Sequence, residues 1–113
     1  MSRTRSKNVP KNLKQYYVAL LRKGEKWDHP EGAEDVGLRQ LAFIRTQTEA
    51  GVYRVAGPMT DDGEIVGISI LEAADLAEAK RAAEQDPAVQ SGRLRVEVHP
   101  AYLPSLDAVR VEY

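Results

Sequence analysis

The sequence contains no cysteine. That excludes disulfides, thiolate nucleophiles, iron–sulfur clusters and cysteine zinc sites together. It also suits a reducing compartment, so a cytoplasmic protein is expected. No apolar run approaches the roughly 18 residues that a membrane helix needs. The opening Met1-Ser2-Arg3-Thr4-Arg5-Ser6-Lys7 has charge but no apolar stretch behind it, unlike a secretory signal. Histidine is scarce. His29 and His99 are the only two, and neither has a carboxylate at metal-ligand spacing, so no metal site is expected. The chain lacks both the Gly-x-Gly-x-x-Gly pattern and the phosphate loop, which leaves nucleotide cofactors without support. No cofactor is expected.

A net excess of charge is also lacking, since 16 basic residues stand against 17 acidic ones. The near-balance hides an asymmetry. Residues 1–14 hold Arg3, Arg5, Lys7, Lys11 and Lys14 and no acid, so the remainder is acidic. An acidic body is a poor platform for phosphate, and nucleic acid is not the expected partner. Polar residues with Pro10 and no periodicity make residues 1–13 a flexible basic arm. Residues 14–113 then form one domain, large enough to bury a single core.

What is present reads as alternating elements. Tyr16 to Leu21 is an apolar run with aromatic and β-branched residues, a buried strand. Lys23 to Gly37 carries three glycines, Pro30 and five acids and reads as an exposed loop. Leu38, Leu41, Ala42 and Ile44 form the apolar stripe of a helix from Leu38 to Ala50, which Gly51 stops. Val52 to Ala56 is a second strand closed by Gly57-Pro58. Ile65 to Leu71 is a third, apolar on both faces. Asp75 caps a second helix, with Glu78 at the capping-box position, and Asp86-Pro87 ends it. Leu94, Val96 and Val98 alternate with polar residues in a last strand that Pro100 closes, with a further short strand at Val109–Val111. The order strand, helix, strand, strand, helix, strand is the split βαβ, ferredoxin-like α+β arrangement. Handedness places both helices on one face of a four-stranded antiparallel sheet. The apolar third strand requires cover on the other face, so a homodimer of facing sheets is expected.

These residues resemble the YCII-related family. The likeness rests on Tyr16-Tyr17-Val18, on Leu41-Ala42-Phe43-Ile44 through Glu49-Ala50-Gly51, and on Ala56-Gly57-Pro58-Met59. It continues through Gly67 to Leu71, Ala83 to Pro87, Ser91-Gly92, and Val98 with Pro100. It spans roughly residues 15–103. The resemblance implies a dimeric α/β barrel with a cleft between sheet and helix and a histidine–aspartate pair at that cleft. It also implies small ring or lactone-like substrates. The aspartate maps to Asp86, but the histidine position is occupied by Gln40. Glutamine cannot exchange a proton near neutral pH, whereas histidine can.

The candidate site residues follow. Asp86 is either a general base at the cleft or a helix stop before Pro87. Gln40 is either a donor to a substrate oxygen or an exposed helix residue. His99, two residues from Glu97 on one strand face, is either a replacement base or a surface histidine. Arg39 and Arg45 are placed to help polarise an oxygen. Tyr16 and Tyr17 point to opposite faces, one into the core and one toward a pocket or interface, with Tyr17 taken as a substrate contact. Ser69 supplies a pocket hydroxyl, and Trp27 supplies a lid on the long loop. His29 beside it reads as solvated. Two functions fit. One is a cofactor-free lyase or isomerase that moves a proton beside a carbonyl. The other is a non-catalytic binding or assembly module in which Gln40 marks a lost site. Fold analogy adds a third, a cofactor-free monooxygenase-like barrel.

Overall fold

In the computed structural model, which describes residues 10–113, the elements in chain order are β1 (Leu13–Lys23), α1 (Ala33–Glu49), β2 (Tyr53–Pro58), β3 (Ile65–Leu71), α2 (Leu76–Glu84), α3 (Pro87–Gln90) and β4 (Leu94–Pro104). Residues 1–9 of the expected basic arm lie outside the described residues. The strands form one antiparallel sheet in the order β2-β3-β1-β4. This is the ferredoxin-like arrangement, with one helix more than the sequence pattern implies. Asp86-Pro87 ends α2 and also starts α3. Proline suits a first helical turn because it has no N–H to leave unbonded, and the Asp86 carboxylate accepts the Ala88 N–H at 2.8 Å.

Register decides which side chains meet. Ala19 on β1 lies opposite Ser69 on β3 and Val98 on β4. Alternate residues of a strand share a face, so Tyr17, Ala19, Leu71 and Val98 point the same way. They pack with Tyr53 and with Ala79 and Ala83 of α2 as the buried core, and Phe43 and Ile44 of α1 close over it. Both long helices therefore cover one face. The Phe43 and Tyr53 rings meet edge to face at 5.7 Å between centroids. On the other face, Val18 and Leu20 stand beside Ile70 and Ile68 on one side and His99 and Glu97 on the other.

Local rules account for the helix ends. Asp75 accepts the Glu78 N–H at 2.8 Å, a cap of the kind that contributes about 1 kcal/mol. Gly51, at φ 79°, carries the chain out of α1 in the left-handed region. Its N–H bonds to Thr48 and the Val52 N–H bonds to Gln47, the paired closure of a Schellman motif.

Three expectations are corrected. First, α1 begins at Ala33, inside the stretch read as loop, and its inward face differs from the expected stripe. Leu38 is 63% exposed and Ala42 is exposed, while Val36 is buried and Gln40, Phe43 and Ile44 turn inward. The partner surface decides the helix's rotation, and here a buried carboxylate draws a glutamine inward. Second, β4 continues through Pro100 to Pro104. An edge strand tolerates proline because only one side of it must pair. Third, residues 109–111 form no strand. Residues 105–113 instead run as an irregular strap. Its Leu106 N–H bonds to the Tyr16 hydroxyl at 2.7 Å, and Asp107 lies 3.5 Å from Lys14 and 3.6 Å from Arg54. Lys14 and Arg54 in turn share Glu72.

Candidate functional site

Gln40 faces inward from the middle of α1, and Asp86 sits at the junction of α2 and α3. One N–H of Gln40 donates to Asp86 Oδ2 at 3.0 Å, while Oδ1 accepts the Ala88 N–H. Asp86 is only 2% exposed. Burial pushes its carboxyl above the usual range, and the bonds from Gln40 and from the Ala88 and Val89 N–H groups pull it part of the way back. The same environment raises the Tyr53 phenol, chiefly through burial and secondarily through the negative charge of Asp86. The carboxylate thus fixes an amide and holds a short helix.

On the outer side of that amide lies a cleft of about 320 Å³ between α1, the β2–β3 edge and the loop after β1. Its walls are largely apolar, with Trp27, Leu41, Ile44, Pro58 and Leu94 among them, and Tyr113 closes one side. Ala56, Gly57 and Gly67 keep its floor low, and a Cβ on Gly67 would press on Leu21 at 3.2 Å. Gln40 lines this cleft, whereas Asp86 lies behind it. An amide has a second N–H and a carbonyl oxygen. With one N–H engaged by Asp86, those two groups are left for a ligand.

The remaining candidates are spread more widely. Trp27, 43% exposed, reaches the cleft from its loop, with Lys23 Nζ 5.8 Å from its ring centre. Tyr17 and Ser69 are buried on the helix side of the sheet, outside the cleft walls. Arg39 pairs with Asp35 at 3.0 Å on the surface of α1. Arg45 donates to the main-chain oxygen of Tyr113. His99, with its side chain 58% exposed, lies on the opposite face of the sheet, 3.1 Å from Glu97. Glu97 also pairs with Arg22, and Arg22 first and His99 second hold its carboxyl below the usual range. The structure therefore joins Gln40 to Asp86 and brings Trp27 to their cleft, and it leaves His99 elsewhere. Sequence reasoning missed Tyr113 and Leu94, whose distance along the chain from α1 carries no local signal. Among the described residues, no group of three or more potential metal ligands forms a cluster, and no helix is long and apolar enough to cross a membrane.

A sequence profile of the YCII-related domain matches residues 16–101, a span that includes both Gln40 and Asp86. The chain belongs to the YCII-related domain family. No curated protein sequence matches it significantly. Among solved structures, this YCII-related domain is similar to the 5-chloro-2-hydroxyhydroquinone dehydrochlorinase of Burkholderia phenoliruptrix, solved in complex with 2,5-dihydroxybenzoquinone. The two share 23% identity with a TM-score of 0.52, over 74% of this chain and 90% of that one. At that identity the likeness establishes the fold.

Proposed function

We propose that this YCII-related domain binds a small oxygen-bearing ring compound in the cleft. There it promotes elimination or isomerisation by polarising the ring oxygen through Gln40. The observation that carries this reading is the Gln40–Asp86 bond at the wall of an apolar cleft. A preorganised N–H in a water-poor site stabilises charge that develops on a carbonyl oxygen. Polarisation eases transfer of a proton from the adjoining carbon to solvent acting as the base, and departure of an anion from the next carbon with the C–H electron pair then completes an elimination. Apolar walls around one convergent polar group are what a ligand of this kind needs. The similar dehydrochlorinase, which is a lyase-type enzyme holding a dihydroxyquinone, supports the substrate class.

A specific observation favours a second reading. A general base must reach the proton it removes, and Asp86 is screened from the cleft by an amide that does not titrate. A domain that binds such a ring without transforming it accounts for that arrangement.

Titration with 2,5-dihydroxybenzoquinone, followed through the single tryptophan, tests the site. Gln40→Leu should weaken binding about tenfold, because a buried hydrogen bond is lost on both sides. Gln40→His puts a proton-exchanging group against Asp86 and should raise turnover of a chlorinated hydroxyhydroquinone by about 100-fold or more. Binding that ignores Gln40→Leu rules the site out. Binding without turnover in the unaltered protein selects the second reading.

A homodimer through the open sheet face belongs to the same proposal. Val18, Leu20 and Ile68 are half-buried within one chain and lie together on that face. A second copy would bury them. Location in the cytoplasm is proposed on the absence of cysteine.

A further inference from the structure

We infer that Tyr113 is a ligand-contacting wall of the cleft, held there by Arg45 and by the edge of β2, and that it governs how tightly a ring is retained. This rests on the reading of the cleft as a small-molecule site.

The strap of residues 105–113 starts beyond β4 on the open side of the sheet, where Leu106 bonds to the Tyr16 hydroxyl and accepts from Arg54. It ends on the helix side, where Arg45 of α1 donates to the Tyr113 main-chain oxygen. Between these points it passes the outer edge of β2, which among the described residues pairs in the sheet with β3 alone. The Tyr113 hydroxyl accepts the Ala56 N–H at 2.6 Å and donates to the Ala56 carbonyl at 2.9 Å. One phenol thereby satisfies both main-chain groups that an edge residue would otherwise turn to water. Tyr113 lines the cleft together with Gln40, Ile44 and Ala56. An aromatic ring pinned at its oxygen and at its backbone is a rigid apolar surface with little rotamer freedom to lose on binding. Arg45, engaged with the strap, acts as a positioning residue.

The test uses the full chain, with 2,5-dihydroxybenzoquinone and phenol as probes and the Trp27 indole N–H resonance as the readout. Four variants are compared: Tyr113→Phe, Tyr113→Ala, Arg45→Gln and Gln40→Leu. Tyr113→Ala removes both ring and anchor and should raise Kd by about tenfold or more, mainly through faster release. Tyr113→Phe keeps the ring but loses two hydrogen bonds, and Arg45→Gln loses one, so each should raise Kd by about 3- to 10-fold. All three should leave the melting temperature nearly unchanged, because the strap lies outside the core. Unaltered affinity in Tyr113→Ala and Arg45→Gln, with Gln40→Leu still weakened, would overturn the role of Tyr113 and leave the functional reading intact. Failure of the unaltered protein to bind either probe would overturn both.

Discussion

Asp86 is a carboxyl group that folding removes from water, and the bonds from Gln40 and from the start of α3 compensate only in part. Its raised pKa has a definite consequence for stability. A free carboxyl of this type titrates near about 3.9. From there up to the raised folded value, the folded state holds a proton that the unfolded state has released. Stability contributed by this group is therefore full below the unfolded pKa and falls as pH rises through the folded pKa. Asp86→Asn removes the titration while keeping an acceptor for the Ala88 N–H. In urea unfolding between pH 4 and 8, the variant should gain on the native protein as pH rises, and a gap that stays constant with pH would contradict this. Asp86→Ala leaves both the Gln40 amide and the Ala88 N–H without an acceptor and should cost about 2–4 kcal/mol at pH 7. The reading of Asp86 as a helix boundary describes only part of its place in the fold. Its backbone ends one helix and its side chain caps the next while also holding Gln40.

The strands and α2 were legible because their signals are local. Alternation at Leu94, Val96 and Val98, the apolar run at Tyr16 to Leu21 and the cap at Asp75 each act within a few residues. The rotation of α1 was not legible, because Leu38 and Gln40 compete for the inward position. The competition is settled by a carboxylate 46 residues away in sequence. The loop after β1 shows the same dependence on distant chain. It is anchored by the Gly24 N–H to Arg93 and the Lys26 N–H to Gly92, at 2.8 and 3.0 Å. A Cβ on Gly24 would stand 2.4 Å from the Gly92 carbonyl oxygen. Gly24→Ala should therefore force the two backbones apart, destabilise by about 1–3 kcal/mol and shift the emission of Trp27. A variant as stable as the native protein, with unchanged emission, would show that the loop is not held by this contact.

At the scale of the molecule, the two faces of the sheet have different fates. One is closed by α1 and α2 over a core of aromatic and small residues. The other is sealed by the strap near Tyr16 and elsewhere presents Val18, Leu20 and Ile68, flanked by the Arg22–Glu97–His99 group. If a second copy covers this face, Leu20→Glu and Ile68→Glu should each shift the protein from dimer to monomer in sedimentation velocity. The helix-side mutation Gln40→Leu should not. A native protein that sediments as a monomer at micromolar concentration would remove the dimer from the proposal.

Resemblance to the YCII-related family singled out Gln40 and Asp86 as residues to watch, while composition and local pattern by themselves determined the α+β class and the order of the long elements. Those features follow from the 2.0 and 3.6 periodicities, from capping and from turn chemistry, all of which operate over a few residues. Only the tertiary structure decided that Gln40 and Asp86 touch, that His99 lies on the far face, and that Tyr113 walls the cleft. These outcomes depend on strand register, helix rotation and the path of the strap, which are set by packing between segments far apart in the chain.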